Sequence, residues 1–385
     1  MFEAYLIYTI IFITTFSSAY CMYVINGKRD VWCKNRPTNA YLQSVFWFPI
    51  IVYTLLLGLR YKVGYDYESY YNVYKMVKYT GDAGDVDMIF KILFPFMLNN
   101  DIHYNFFIAF LAFITIYCLF SAFKDKISLL YIYVFLFFTN LVFLNSINIM
   151  RQNAAYYIVL CSMFTFFNKK YRTAVLSYIL ALLIHKSCII FLPLIFLYKK
   201  KFLLNKYISL CLVVVSFFSG YFLFQNILGS NVFFDLALSY MGDSSYTHYF
   251  DVYNFEKMSR GGDVVVSSGL YKFFLLVVDV ILILNANSLK VKYEKYHFLF
   301  FYNLYLFGVI IYNIFQFNEI TERIFLYFSM FRLYILAIYI HNFIHSRSKK
   351  ISQAFFVYSV MFLSIVFFYR TIASKAGNCA PWQFL

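Results

Sequence analysis

Two neighbouring apolar segments of this sequence begin or end with residues suited to binding an anion. Arg151 and Gln152 open the first segment, and the second ends at His185, Lys186 and Ser187 after a short basic turn. Since an α-helix rises about 1.5 Å per residue, two helical arms joined by that turn would place Arg151 and His185 near the same side of a membrane. Charged groups at membrane depth are costly, and guanidinium groups bind phosphate in bidentate fashion. These positions are therefore candidates for a site that binds an anionic partner.

A second candidate follows the second apolar segment, where the sequence reads RYKVGYDYESYY from Arg60 onward. Gly64 permits a tight turn, which would let Asp66 and Tyr70 face either a recess in the protein or the membrane interface. The alternative is an arginine whose side chain only reaches the headgroup region, followed by an ordinary aromatic loop.

A third candidate is the sequence NEITERIF at the start of the penultimate apolar segment, which contains Glu322 and Arg323. The alternative for these two residues is a local ion pair at a helix end. Arg332 lies two to three turns further along the same segment and needs an internal partner. Asp279 interrupts the apolar run FFLLVVDVILIL, either as a buried, hydrogen-bonded carboxylate or as part of a proton relay.

The composition places these candidates in a membrane protein. The chain is 62% hydrophobic and 13% charged, whereas a soluble domain is about half apolar and a quarter charged. Long apolar runs recur from Tyr5 to Tyr369, and no linker divides them, so we expect one all-α polytopic membrane domain over residues 1–385. The net charge of +15 does not indicate nucleic acid, because the basic residues separate apolar runs and form no continuous basic face.

The distribution of Lys and Arg predicts the topology. The basic connections are assigned to the cytoplasm, and the N-terminus and the acidic loops to the outside. The predicted segments, about eleven or twelve spans, are 5–25, 41–59, 103–122, 128–147, 151–167, 173–185, 187–198, 207–225, 270–286, 297–315, 324–341 and 351–369. Segments 173–185 and 187–198 are each too short to cross alone, since a span needs about 20 residues. We expect a broken hairpin that meets at His185 and Lys186, with one continuous helix over 173–198 as the alternative.

Two long outer loops are predicted. The loop 60–102 contains DYESYYNVYKMVK, whose aromatic residues recur at helical spacing, and VDMIFKILFPFML, with a kink near Pro95. Both indicate amphipathic helices that lie in the membrane interface on the outer face. The loop 226–268 is polar and aromatic, and Gly261 and Gly262 favour mobility there.

The order of four short motifs resembles the EpsG family of Wzy-type polymerases of bacterial surface polysaccharides. The motifs are RYKVGYDYESY, MRQNAA, LALLIHKS and ERIFLYF, and the resemblance extends from about Leu55 to Tyr339. It implies a GT-C-like protein of the bacterial inner membrane that joins lipid-linked oligosaccharide repeats on the periplasmic face. The matching positions are Arg60, Gly64, Asp66 and Tyr70 in the first outer loop, Arg151 and Gln152 in the centre, His185 and Ser187 after the hairpin, and Arg323 near the end.

The mechanism that this resemblance implies needs neither a metal nor a nucleotide cofactor. The growing glycan would leave its undecaprenyl-diphosphate carrier and join the acceptor sugar of an incoming lipid-linked repeat, and a Wzz-type chain-length regulator is a possible protein partner. Arginines would neutralise the departing diphosphate, namely Arg151, Arg323 and Arg60. The base would be His185, or else Asp66 or Glu322. Substrate contacts are expected from Gln152, Tyr70, Lys186 and Ser187.

Two other functions remain open from the sequence. An O-antigen ligase would use the same diphosphate chemistry and the same arginines. A flippase or other transporter of lipid-linked oligosaccharide fits the number of apolar segments. Against the transporter, no internal repeat relates two halves of the chain, and the polar candidates gather on one face instead of the midplane.

Overall fold

The computed structural model describes residues 2–30, 39–84, 86–193, 204–228, 269–315, 327–328, 330–347 and 350–384. Within these residues the regular structure is helical, with a single isolated bridge between Arg60 and Phe384. The helices are α1 (Phe2–Ile25), α2 (Asn39–Gly58), α3 (Tyr65–Thr80), α4 (Met88–Asn99), α5 (Asn105–Ala122), α6 (Ile127–Thr139), α7 (Val142–Asn148), α8 (Met150–Phe167), α9 (Tyr171–Ile184), α10 (Lys206–Leu228), α11 (Gly269–Lys292), α12 (Phe298–Phe315), α13 (Phe331–His345) and α14 (Ile351–Ala373). The chain divides into two compact units, residues 1–195 with 355–385, and residues 196–354.

The helices confirm an all-α, polytopic membrane protein. Among the described residues, six are long and apolar enough to cross a membrane, namely α1, α2, α5, α11, α12 and α14. The predicted segment 128–147 is the pair α6 and α7, which bends by 60° and would make a seventh span. The bend follows Thr139 and Asn140, and Leu141 there adopts a left-handed backbone conformation with φ of 63°.

The helices predicted in the first outer loop are described in full, whereas two other predicted elements are described only in part. The helices predicted in the first outer loop are present as α3 and α4, and α4 contains Pro95 as expected. The segment predicted at 324–341 is described mainly through α13. The loop predicted at 226–268 lies, from residue 229 onward, outside the described residues, as do Glu322 and Arg323.

Close backbone packing organises the first unit. Helix α8 packs against α5 and α9, and α5 packs against α2. At the α2–α5 contact, a Cβ added to Gly58 would lie 2.6 Å from the Cβ of Ala109, so only glycine permits this approach. Helix α6 is buried on every side, which agrees with its nearly uniform apolar sequence.

The segment after α14 returns to the start of the first outer loop. The amide of Tyr61 donates to the carbonyl of Gln383 at 2.8 Å, and the amide of Gly64 donates to the carbonyl of Asn378 at 2.9 Å. The hydroxyl of Tyr8 in α1 donates to the carbonyl of Cys379 at 2.6 Å. Residues 376–384 therefore fix the backbone that leads into α3.

The second unit contains a buried ion pair that supplies the internal partner expected for Arg332. Nε of Arg332 lies 2.8 Å from Oδ1 of Asp279, and Nη2 lies 3.0 Å from Oδ2. The hydroxyl of Tyr305 donates to the same Oδ1 at 2.9 Å. The side chains of Arg332 and Asp279 are only 9% and 3% exposed. Asp279 is thus a buried, hydrogen-bonded carboxylate.

Candidate functional site

The site begins with the turn that leads into α3. Gly64 has φ of +85°, and a Cβ there would lie 2.7 Å from the carbonyl oxygen of Ile147, so the turn requires glycine for both reasons. The next amide, from Tyr65, donates to Oδ1 of Asn148 at 2.9 Å. The start of α3 is therefore held against the end of α7, two residues before α8 begins.

Helix α4 lies beside α3 and runs in the same direction. The rings of Tyr70 and Phe90 are 5.2 Å apart, and the rings of Tyr74 and Phe94 are 5.3 Å apart. Since each helix advances by four residues between the two contacts, the helices are parallel. The first residues of α4 therefore lie beside the first half of α3. Asp87 occupies the N-cap position of α4 without a side-chain capping hydrogen bond, and its side chain is only 2% exposed.

His185 lies at a break in the backbone. Helix α9 ends at Ile184, His185 is extended with φ of −154° and ψ of 111°, and a 3₁₀ helix runs from Lys186 to Phe191. Residues 173–198 therefore do not form one continuous helix, and the predicted break is confirmed. Nδ1 of His185 lies 2.9 Å from Oδ2 of Asp87, and the imidazole side chain is 19% exposed.

Arg151, in the first turn of α8, binds the same carboxylate oxygen. Its Nη1 donates to Oδ2 of Asp87, and its guanidinium lies over the rings of Tyr70 and Phe90, at 4.7 and 4.4 Å. The hydroxyl of Tyr70 donates in turn to Oδ2 of Asp66. The structure thus confirms that Arg151 and His185 lie together. We call Asp66, Tyr70, Asp87, Arg151 and His185 the Asp87 cluster.

The charges of the cluster favour a fixed protonation pattern. Burial acts to raise the pKa of Asp87, but the hydrogen bond from His185 and the charge of Arg151 outweigh it and lower the pKa below its usual value. An ionised Asp87 favours the imidazole tautomer with its hydrogen on Nδ1, which leaves Nε2 as a proton acceptor. Burial also raises the pKa of Tyr70, so this phenol stays protonated and serves as a donor.

The cluster has unused hydrogen-bonding capacity. Oδ1 of Asp87 and Nε of Arg151 are buried, and neither has a hydrogen-bond partner among the described residues. The Arg151 side chain is nevertheless 21% exposed. Buried polar atoms without partners are uncommon in proteins, and each one calls for an explanation. The guanidinium therefore has one edge occupied by Asp87 and some surface open to a ligand.

Arg60 lies behind this surface. It is fully buried, and Nη2 donates to the carbonyl of Ile147 at 3.1 Å and contacts Sδ of Met150 at 2.7 Å. Its Nε and Nη1 have no hydrogen-bond partner among the described residues, and burial lowers the pKa of Arg60. Arg60 thus supports the backbone immediately before Arg151 and has no exposed surface in this conformation.

The other expected contact residues are placed differently around the cluster. Gln152 is 5% exposed and follows Arg151 into the interior. Lys186 is exposed and Ser187 is half-buried, next to His185, and the charge of Lys186 also contributes to lowering the pKa of Asp87. Within the described residues, no three His, Cys, Asp or Glu side chains converge as metal ligands do.

Asp87 is the central residue that the sequence analysis did not select. It lies 64 residues from Arg151 and 98 residues from His185, and sequence spacing at such separations contains no geometric information. The available signal was local, an acidic residue that directly precedes the apolar helix MIFKILFPFML, where an aspartate is a favoured cap. That position indicated a helix start and gave no reason to expect a partner for Arg151.

Comparisons with known proteins identify a family for this chain. Searches among curated proteins and among solved structures find no match. The model of the EpsG family, by contrast, matches residues 44–384, which include every member of the Asp87 cluster. The chain belongs to the EpsG family, a family of Wzy-like polysaccharide polymerases.

Proposed function

We propose that this protein polymerises a surface polysaccharide of the O-antigen type. It transfers the growing glycan from an undecaprenyl-diphosphate carrier to the acceptor sugar of an incoming lipid-linked repeat. The reaction takes place on the periplasmic face of the bacterial inner membrane. The observation that supports this proposal is the single Asp87 oxygen that binds both Arg151 and His185, because it joins an anion-binding group to an oriented base.

The reaction follows from the two groups that Asp87 brings together. Nε2 of His185 takes the proton from the acceptor hydroxyl, whose oxygen forms a bond to C1 of the donor glycan. The bond between C1 and the diphosphate oxygen breaks, and the lipid diphosphate leaves with that electron pair. Arg151 stabilises the charge that develops on this oxygen, and Asp87 stabilises the imidazolium.

This geometry favours His185 over Asp66 as the base. An oxygen of Asp66 already accepts the hydroxyl of Tyr70, whereas Nε2 of His185 lies on the side of the ring opposite Asp87. Both side chains are partly exposed, so access for a hydroxyl does not separate them. Glu322 is the remaining candidate base, and Arg323 the remaining candidate for the diphosphate, while Arg60 serves the reaction by supporting the backbone before Arg151.

Reconstitution of the purified protein tests the proposal. Liposomes that contain the protein and lipid-linked repeats, with no ion gradient, should form polymer, which a gel resolves as a ladder of chain lengths. We expect Arg151→Ala and His185→Ala to lower polymer formation by about 10²–10⁴-fold, the range for loss of a positioned acid–base or electrostatic group. Arg172→Ala and His345→Ala are matched controls, because both residues are exposed and lie outside the cluster.

The same assay separates the competing functions. Movement of lipid across the bilayer without new glycosidic bonds would identify a flippase. Transfer of glycan only to a lipid A core acceptor would identify a ligase. Normal ladders from both Arg151→Ala and His185→Ala would refute the assignment of these residues.

A further inference from the structure

A groove lies where α3 and α4 end, away from His185 and Arg151. It has a volume of about 630 Å³ and is formed by the second half of α3, the end of α4 and the turn at 99–104. Its volume is within the usual range for ligand sites, roughly 300–1,000 Å³. No member of the Asp87 cluster lines it. We call it the α3–α4 groove.

Aromatic rings form one wall of the α3–α4 groove. Tyr71 and Tyr74 are half-buried, with ring centroids 5.2 and 5.7 Å from the ring of Tyr104, which is 1% exposed. The hydroxyl of Tyr74 also donates to the carbonyl of Ile102 at 3.1 Å. The two outer rings are therefore held in place by a buried third ring. The faces of aromatic rings carry partial negative charge and pack against the C–H faces of pyranose sugars.

Hydrogen-bonding groups of both kinds surround these rings. Lys78, Asn99, Asp101 and His103 line the same groove and are exposed. Together they supply donors and acceptors, which suits a ligand with many hydroxyl groups. Lys78 and Asp101 have opposite charges, so the groove has no excess of positive charge for a phosphate. This balance distinguishes it from the arginine surface of the Asp87 cluster.

The parallel arrangement of α3 and α4 connects the groove to the cluster. Asp66 and Asp87 lie at the starts of the two helices and Tyr70 lies in the second turn of α3, whereas the groove is lined by α3 from Tyr71 onward and by the end of α4. Tyr74 is one helical turn beyond Tyr70, about 6 Å along the axis. A glycan held in the groove and lying along the pair of helices would extend toward the Asp87 cluster.

We propose that the α3–α4 groove binds sugar residues of the lipid-linked oligosaccharide and holds the glycan whose reacting end lies at the Asp87 cluster. This inference rests on the proposed polymerase function. It assigns recognition of the glycan to Tyr71, Tyr74 and the polar residues around them. Recognition of the diphosphate is then assigned to Arg151 of α8, which lies beside the first half of α3 and α4.

Binding of a lipid-free ligand tests the groove without catalysis. The probe is the oligosaccharide released by mild acid from the cell's own lipid-linked repeat, and its binding to the full-length His185→Ala protein is measured by calorimetry. We expect Tyr71→Ala in this background to weaken binding about tenfold, the effect of losing one aromatic contact, and Tyr71→Phe to retain it. Tyr79→Ala is the matched control, because Tyr79 is on the same helix, is 81% exposed and does not line the groove.

A second pair of variants covers the case in which Tyr71→Ala does not fold, as judged by its elution profile and melting temperature. Lys78→Ala removes an exposed groove residue, and we expect roughly fivefold weaker binding of the oligosaccharide. Lys91→Ala, at an exposed position on α4 outside the groove, should bind as the parent does. Unchanged binding in folded Tyr71→Ala, or in Lys78→Ala when Tyr71→Ala is unfolded, overturns the proposal.

A sugar-free lipid distinguishes the two sources of ligand chemistry. Undecaprenyl diphosphate without a glycan should bind equally to the parent and to Tyr71→Ala. Equal weakening for this lipid and for the oligosaccharide would assign the groove to the lipid end and refute the proposal. If the groove binds the oligosaccharide but the protein makes no polymer, only the proposed polymerase function is refuted. If Tyr71→Ala makes polymer with an unchanged KM, only the proposed role of the groove is refuted.

Discussion

The two units each contain a buried aspartate paired with an arginine, and the two pairs are completed in different ways. Arg332 uses two nitrogens on the two oxygens of Asp279, and Tyr305 adds a third hydrogen bond. Asp87 instead receives Arg151 and His185 on one oxygen, and its other oxygen has no hydrogen-bond partner among the described residues. The first arrangement satisfies its charges within the protein, whereas the second leaves Oδ1 of Asp87 and Nε of Arg151 without a hydrogen-bond partner among the described residues.

The side chains of the two ion pairs also differ in their exposure. The side chains of Arg332 and Asp279 are 9% and 3% exposed, whereas Arg151 is 21% exposed over an aspartate at 2%. A bidentate, buried pair contributes to a stable fold only when its geometry repays the cost of desolvation. The Asp87–Arg151 pair has hydrogen bonds to only one carboxylate oxygen, and its arginine is partly exposed, which suits transient binding of a ligand. We therefore expect substitutions in the second unit to change stability and substitutions in the Asp87 cluster to change activity.

The largest expected effect is that of Asp87→Asn. The substitution keeps the size of the side chain but removes the charge that orients His185 and stabilises its protonated form. We expect polymer formation in liposomes to fall by about 10²–10⁴-fold, with most of the protein still folded. Asp82→Asn is the control, because Asp82 is exposed in the loop before α4. If Asp87→Asn keeps activity within threefold of the parent, the expected difference between Asp87 and Asp279 is wrong.

Asp279→Ala should have the opposite profile. It leaves the guanidinium of Arg332 buried without its partner, and we expect a loss of about 3–5 kcal/mol in the free energy of unfolding. Activity per folded molecule should stay unchanged. Combining Asp279→Leu with Arg332→Met replaces both charges and should recover much of the stability. Unfolding in denaturant measures both effects, and a stable Asp279→Ala protein that makes no polymer would place this pair in the reaction.

The smallest expected effect concerns pH and the stability contributed by Asp87. Its pKa is lower in the folded protein than in the unfolded chain, where an aspartate has a value of about 3.9. The contribution is therefore complete above about pH 4 and is lost as the pH falls through the folded value. We expect the difference in melting temperature between the parent and Asp87→Asn to shrink as the pH falls below about pH 4. A difference in melting temperature that already shrinks as the pH falls from 7 to 5 would contradict the lowered pKa of Asp87.

The sequence contained enough information to place Arg151 with His185, because the argument needed only segment lengths and one basic turn. The break at His185 followed from the same lengths, since neither arm alone was long enough for a span. Asp87 could not be found in this way. Its loop approaches α8 and α9 through the tertiary packing of α3 and α4, which no local pattern determines.

The pair in the second unit shows the same limit. Arg332 was expected to need an internal partner, and Asp279 was expected to be either a buried, hydrogen-bonded carboxylate or part of a proton relay. Nothing in the sequence connected these two residues, which are 53 positions apart. The role of Arg60 depended equally on tertiary contacts. Its motif indicated a site, and the structure places its guanidinium against the carbonyl of Ile147 beneath that site. Local sequence predicted which residues matter, and packing determined what each one contacts.

The hydrogen bonds between residues 376–384 and the turn before α3 set an order of events during synthesis. Asn378 and Lys62, which meet through one of these contacts, are 316 residues apart. At about 5–20 residues per second, the ribosome adds the later segment roughly 15–60 s after the earlier one. Throughout that interval the turn that leads into α3, the helix of Asp66 and Tyr70, lacks these contacts. The turn before α3 therefore gains these hydrogen bonds only after residues 376–384 have been synthesised.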